Sequence, residues 1–225
     1  MDALLDAADR PAKAKAMDNQ RRTVDTITAA GLQPDHHILE LEPGQGWFTA
    51  ILLRLLGSEG SLVVQQPASL NPFFGHEAEK RVLKAGLQNA RYSDAPFTHL
   101  DAQGGSIDRA LWMQGPHELW FEPQPGVTFG DPSAVFSDVR RVLKPGGLFF
   151  VIDNIALPGT DLKTAGNLHR SEPRALAALI EKAGLKLERA ELDWIDSPVD
   201  LKNVPTYTPG VHLNTSQFLQ IYRRA

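Results

Sequence analysis

Apolar residues along this chain gather into short runs that alternate with helical-period segments and with turns carrying glycine or proline. His36–Leu41 is one such run, ending in the turn Glu42-Pro43-Gly44-Gln45-Gly46; Trp47–Gly57 follows with helical spacing and a terminal glycine. A buried run, a glycine turn and a helix in that order predict the opening of a βαβ unit. Ser61–Gln65 is the second predicted strand, Pro72–Ala85 a helix closed by Gly86, Ala90–Asp94 a weak third strand and Ser106–Met113 a fourth. Asp131-Pro132 predicts the start of a helix that runs to Leu143 with Val135, Val139 and Val142 on one face, because aspartate caps and proline suits the first turn. Lys144–Gly147 stops that helix, and Leu148–Asp153 is the most continuously apolar strand. Glu172-Pro173 begins the last helix, which ends at Ala183-Gly184. Leu185–Ile195 then alternates with one slip in phase, and Ser216–Tyr222 alternates again with no helix between them.

This order predicts an α/β sandwich with a mostly parallel seven-stranded sheet and an antiparallel final strand. Ahead of the first strand, a helix carrying Val24, Ile27 and Thr28 on one face ends at Gly31. Residues 1–17 have little apolar periodicity and form a loosely attached N-terminal arm on a domain spanning 18–225. Two stretches, Gln114–Gly130 and Asp196–Thr215, carry no regular pattern. Irregular segments of that length in a compact domain usually have a functional reason or are mobile, which makes both candidates for substrate contact.

Composition narrows the picture in a few places. A chain of 225 residues is long enough for one α/β domain with a substantial core. The net charge of -4 offers no basic excess for neutralising phosphates, so a small molecule is the expected partner rather than a nucleic acid. The absence of cysteine removes disulfides and thiolate chemistry. No apolar run reaches the roughly 20 residues of a bilayer span, and no membrane partner is expected. The first ten residues lack a leader pattern, which makes the cytoplasm the expected compartment, or the periplasm if a leader has been removed. A homodimer is left open.

Glycines 44 and 46 allow a sharp bend and a close approach to a ligand. The following helix turns its free N–H groups toward the same point. Glu40, closing the first strand, is placed to meet a hydroxyl or an ammonium group, or else to be satisfied by backbone N–H groups. Ligands of open α/β sheets bind at the carboxyl ends of the strands. The dinucleotide fingerprint is incomplete, with Thr49 where its third glycine would stand, and this disfavours a nicotinamide enzyme.

Two segments carry a resemblance. ILELEPGQGWFTAIL (Ile38–Leu52) resembles the first cofactor motif of class I S-adenosylmethionine-dependent methyltransferases, and VFSDVRRVLKPGGLFFVID (Val135–Asp153) resembles their helix, LKPGG turn and fifth strand. From about Ala8 onward the chain is similar to a bacterial group of predicted methyltransferases, through Pro43–Trp47, His117-Glu118, Leu143–Asp153, Leu168-His169-Arg170 and Gln217–Arg224. The resemblance implies a Rossmann-like methyltransferase sandwich with S-adenosylmethionine as cofactor, but it supplies no substrate; methyl transfer to a small-molecule acceptor is the expected function.

Carried onto this chain, it implies cofactor contacts at Glu40, Glu42, Gly44, Gly46, Gln66, Asp94, Met113 and Gln114. Asp94 would meet the adenine amino group, or else serve an Asx turn before Pro96; Met113 and Gln114 would line the sulfonium region. Two positions depart from the superfamily pattern: Glu42 stands for the first loop glycine, and Gln66 for the acidic residue after the second strand. Both motivate an alternative, a catalytically inactive binding module on the same fold. His117 is the candidate general base with Glu118 as its orienter, against a plain structural histidine. Asp153, His169 and Arg170 are candidate substrate contacts, although Arg170 could instead pair with Glu172 or Asp161. No carboxylate–histidine group has metal-binding spacing along the chain, so no metal is expected.

Overall fold

In the computed structural model, which describes residues 2–7, 10 and 12–225, seven strands form one sheet. They are β1 (His37–Leu41), β2 (Ser61–Gln65), β3 (Ala90–Ser93), β4 (Ile107–Met113), β5 (Leu143–Asn154), β6 (Leu185–Ile195) and β7 (Gln217–Arg224). Their order across the sheet is β3-β2-β1-β4-β5-β7-β6. The pairings from β3 through β5 are parallel, and β7 runs antiparallel to both β5 and β6. The predicted sheet and its antiparallel final strand are therefore both present.

The apolar runs of the central strands are continuous because both faces are covered. Leu39, Leu41, Val63, Ala110, Trp112, Phe149 and Val151 face one layer, made by α7 (Pro132–Val142) and α9 (Pro173–Lys182). Ile38, Leu62, Val64, Leu111, Phe150 and Ile152 face the other, made by α3 (Thr23–Ala29), α4 (Thr49–Leu55) and α6 (Glu77–Ala85). Capping follows the sequence signals: the Asp131 side chain accepts from the Ala134 N–H, and that of Glu172 accepts from the Ala175 N–H. A further short helix, α8 (Leu162–Asn167), was not legible in the apolar pattern; Asp161 caps it by accepting from the Thr164 N–H.

Local features refine the predicted elements. The single helix expected over Pro72–Ala85 is broken into α5 (Asn71–Phe74) and α6, because Gly75 adopts φ 68°, ψ −158°. Leu83, counted among its apolar positions, is exposed; α6 buries only Ala78 and Val82. The LKPGG segment lies inside β5, with a register shift against β4 between Ile107 and Arg109. A Cβ on Gly147 would lie 2.9 Å from the backbone oxygens of Ile107 and Lys144, so only glycine fits. The phase slip in Leu185–Ile195 is a bulge between Leu187 and Arg189, which rotates the following side chains to the opposite face.

At the N-terminus, Met1, Ala8, Asp9 and Pro11 of the expected arm lie outside the described residues. Helix α1 spans Asp2–Leu5, and α2 (Ala12–Gln20) runs past Met17. Buried Arg10 is bidentate to Asp18 of α2, with both N–O distances 2.7 Å. No helix among the described residues is long and apolar enough to cross a membrane.

Candidate functional site

The carboxyl ends of β1, β4 and β5 lie side by side, and loops rise from each. Cavities of about 540, 410 and 340 Å³ run along this edge. All three are lined by Arg21, Gln114 and His212, which makes them compartments of one cleft. Their sizes suit small molecules. Both irregular stretches contribute: Gln114–Gly130 supplies Gln114, His117, Glu118 and Phe121, while Asp196–Thr215 supplies Tyr207, His212 and Leu213.

The largest compartment lies on the turn after β1, where Glu42, Gly44 and Gly46 have φ of 51°, 56° and 73°. Gly44 lines it, and a Cβ there would touch only the Phe74 ring, 3.7 Å away. Trp47, Phe74, Met113 and Gln114 complete that part of the wall. Gly46 serves a different purpose from the one expected. A Cβ on it would meet the Ala78 Cα at 3.1 Å and the Arg81 Cδ at 2.7 Å, so it permits the packing of α6 rather than the approach of a ligand.

Other expected cofactor residues are also turned elsewhere. Glu40 is buried and its Oε2 accepts from the Thr49 hydroxyl at 2.6 Å, tying β1 to the first turn of α4; burial pushes its carboxyl up to about 7 against the Thr49 hydrogen bonds. Gln66 is sealed beneath the Ala68–Gly75 segment, its amide donating to Asn71 Oδ1 and to the Gly75 carbonyl, with its Oε1 buried and unpaired. The Asp94 side chain is exposed, and its carbonyl accepts from the Ala68 N–H. Neither Gln66 nor Asp94 is among the cavity walls.

The second compartment is floored by a polar cluster. His117 sits in a short 3-10 turn, Pro116–Leu119, directly after β4, and its Nδ1 lies 2.7 Å from Asp153 Oδ1 at the end of β5. Asp153 Oδ2 accepts from the His117 N–H at 3.1 Å and the Ser171 hydroxyl at 2.7 Å. Glu118 Oε1 lies between two imidazoles, 3.4 Å from His117 Nε2 and 3.2 Å from His169 Nδ1. Burial alone would lower the His117 imidazole, but the Asp153 charge and hydrogen bond, helped by Glu118, push it up to about 10. Burial likewise works against the Glu118 charge, yet His117 and then His169 hold its carboxyl at about 2. Glu42 reaches the same place from the turn: its carboxylate oxygen accepts from the Trp112 indole N–H at 2.9 Å. Burial and then the Glu118 charge push Glu42 well above the carboxylate range.

These contacts revise the expected roles. His117 faces a carboxylate from each ring nitrogen, which favours its charged form and suits it poorly to accept a proton; Asp153, at the shorter distance, is the stronger partner in orienting it. His169, in the left-handed region at φ 52°, lines the cavity against Phe121 and Tyr207, and its Nε2 has no hydrogen bond among the described residues. Arg170 is not a substrate contact. It is fully buried and bidentate to Asp200 at 2.9 and 2.6 Å, with further bonds to the Val204 and Ile155 carbonyls. Neither expected surface partner, Glu172 nor Asp161, engages it. Asp153 lies beneath the cavity wall rather than in it. The ligand atoms of His117, Glu118 and His169 lie within 4.8 Å of one another, close enough to hold one metal ion; residues 51 positions apart form this group, which no spacing along the chain would show. As it stands, hydrogen bonds and ion pairs account for each contact in it.

Trp47, the last residue of the Pro43–Trp47 segment that carries the resemblance, lines the cleft; Arg21, Phe74, Asn154, Tyr207 and His212 also line it without having been singled out. For these five, the one signal was the irregular stretch containing Tyr207 and His212.

No family model matches the chain. Over 129 residues it is 28% identical to the ubiquinone/menaquinone biosynthesis C-methyltransferase UbiE of Teredinibacter turnerae, an overlap covering 57% of this chain and 47% of that protein. The chain thus matches about half the length of this curated relative. Among solved structures, an S-adenosylmethionine-dependent methyltransferase from Aquifex aeolicus matches with TM-score 0.62 at 15% identity, covering 96% of this chain and 99% of the other. Geranyl diphosphate C-methyltransferase from Streptomyces coelicolor A3(2), solved with Mg2+, geranyl diphosphate and S-adenosyl-L-homocysteine, matches with TM-score 0.63 at 13% identity, covering 99% and 88%. With the strand order and the antiparallel β7, these likenesses establish that the chain has the class I S-adenosylmethionine-dependent methyltransferase-like fold.

Proposed function

We propose that this protein transfers a methyl group from S-adenosylmethionine to a small-molecule acceptor held in the cleft. The observation that carries this reading is continuity: the open turn at Gly44 and the polar cluster at His117, Glu118 and His169 face compartments that share Gln114 and His212. The residues present fit an adenosyl ligand, because Gly44 leaves the backbone approachable and Trp47 and Phe74 offer rings beside it. Gln66 and Asp94 are turned away, so backbone and rings, rather than acidic side chains, would do the holding.

S-adenosylmethionine, when bound, supplies an electrophilic methyl group. This chain's part is to align the acceptor and exclude water. His169 Nε2 takes the proton that an oxygen or nitrogen acceptor releases, and Glu118 holds the ring by Nδ1. The His117–Asp153 pair anchors Glu118 from the other side. Isothermal titration with S-adenosylmethionine and S-adenosylhomocysteine tests the reading; micromolar binding is expected, and none at millimolar concentration refutes it.

Glu42 and Gln66 favour a second reading, a binding module without turnover, since the Glu42 side chain crosses from the turn to Trp112. Glu42→Gly separates the two. Under the second reading it creates affinity for S-adenosylhomocysteine that the native chain lacks; under the first, the native chain binds already.

A further inference from the structure

Among the described residues the two fully buried arginines are paired with carboxylates, and half-buried arginines such as Arg81 and Arg109 donate to backbone carbonyls; Arg21 does neither. Arg10 is held by Asp18 and Arg170 by Asp200, each through two N–O contacts. Arg21, just after α2, has a guanidinium with no hydrogen bond and no ion pair among the described residues. Its one neighbour of note is the Trp47 ring, 4.6 Å below the guanidinium carbon. Burial lowers its pKa to about 10, with no compensating charge among the causes.

The surroundings explain why no partner intervenes. Glu42, which lines the same walls, is committed to the Trp112 N–H, and burial and the Glu118 charge push its carboxyl toward the uncharged form. Asp196 lies 3.5 Å from the Lys202 ammonium and is mostly exposed. A desolvated cation without a counter-charge is costly, and Arg21 stands where all three compartments meet. It is placed to receive its counter-charge from whatever enters.

We infer that Arg21 is an anchor for a carboxylate carried into the cleft by a ligand. A single planar guanidinium matches the two oxygens of one carboxylate. The rings of Phe73, Phe74, Phe121 and Tyr207 around the adjoining cavity suit an aromatic or apolar body behind that group. The carboxylate has two sources: the amino-acid tail of an adenosyl cofactor, which rests on the methyl-transfer reading, or an acid group on the acceptor, which does not.

The test compares the native protein with Arg21→Met, which keeps an apolar stem against Trp47. Binding of S-adenosylhomocysteine, 5′-methylthioadenosine (which lacks the amino-acid tail) and benzoate is measured by titration calorimetry, with thermal unfolding of each ligand-free protein. Ligand-free Arg21→Met is expected to melt at the same temperature as the native protein or higher, whereas an arginine needed for the fold would lower it. A tenfold or larger loss for S-adenosylhomocysteine, with 5′-methylthioadenosine unchanged, supports the anchor and assigns it to the cofactor tail. An Arg21-dependent loss confined to benzoate supports it and assigns it to the acceptor. If neither adenosine compound binds the native protein but benzoate does through Arg21, the methyl-transfer reading fails while the anchor stands. Affinities that Arg21→Met leaves unchanged, or no binding of any probe by the native protein, overturn the inference.

Discussion

Arg170→Met is the most direct perturbation of the architecture that shapes the cleft. The substitution preserves bulk and removes a guanidinium that donates twice to Asp200 and once each to the Val204 and Ile155 carbonyls. Asp200 would be left in the interior with only the Ser216 and Lys202 backbone N–H groups, at 2.7 and 3.0 Å. Removing one partner of a buried ion pair costs about 3 to 5 kcal/mol. The two remaining N–H donors bring the expectation toward the lower end of that range, and the abandoned carbonyls bring it back up. Against a typical total stability of about 5 to 15 kcal/mol, this is a large fraction. Urea unfolding at pH 7.5 followed by tryptophan fluorescence should show it as a midpoint lowered by about 1 to 2 M, given slopes of about 2 to 3 kcal/mol/M. Asp200→Asn in the same background should recover part of the loss, with a coupling of about 1 to 3 kcal/mol. Because Arg170 ties the segment around Asp200 and Val204 to the end of β5, limited proteolysis should also cut first within residues 196–215. A loss under about 1 kcal/mol, which is the scale of an exposed pair, or strict additivity of the two substitutions, would refute the reasoning. A substrate clamp would behave oppositely, leaving stability intact while affinity fell.

Glu40 gives stability a pH dependence. Its folded-state pKa of about 7 lies above the ordinary 4.5, so its contribution is fully present below pH 4.5 and is lost as pH rises through 7. At about 1.36 kcal/mol per unit, the native protein should lose about 3 kcal/mol relative to Glu40→Gln between pH 4.5 and pH 8; parallel urea midpoints across that range would count against it. Gly44→Ala and Gly46→Ala each force alanine into positive φ, costing about 1 to 2 kcal/mol. Only Gly46→Ala adds a clash, with Ala78, so thermal melts should place it clearly lower, while titration should find the ligand affinity more affected by Gly44→Ala. Equal melting temperatures would contradict the packing role given to Gly46. His169→Ala should reduce turnover by about 10² to 10⁴-fold with little change in unfolding, once an acceptor is in hand; an unchanged rate would remove His169 from the chemistry.

The chain by itself determined the layers and their order. Apolar runs at Ile38–Leu41, Leu62–Val64 and Phe149–Ile152 have one place to go, between two layers of helices, because strands of that composition must be covered on both faces. The phase slip in Leu185–Ile195 was readable as an irregularity for the same reason: side-chain alternation has a period of two, and a bulge leaves a mark in it. Helix caps at Asp131 and Glu172 were equally local. What the chain could not determine was which way a polar side chain at a strand end would turn. Glu40 and Arg170 were candidate ligand contacts with an internal or surface partner as the alternative, and Gln66 was one through the resemblance; in the fold each side chain is bonded inside the protein to a partner on another element: Thr49, Asp200 and Asn71. The cleft's polar floor is likewise a tertiary product, since Asp153 reaches His117, and Glu118 reaches His169, only after β4, β5 and the loop before α9 are aligned. Hydrophobic periodicity is a property of neighbours in sequence. The pairing of buried charges, and the lack of a hydrogen-bonding or ionic partner for Arg21 among the described residues, depends on neighbours in space, which the fold alone brings together.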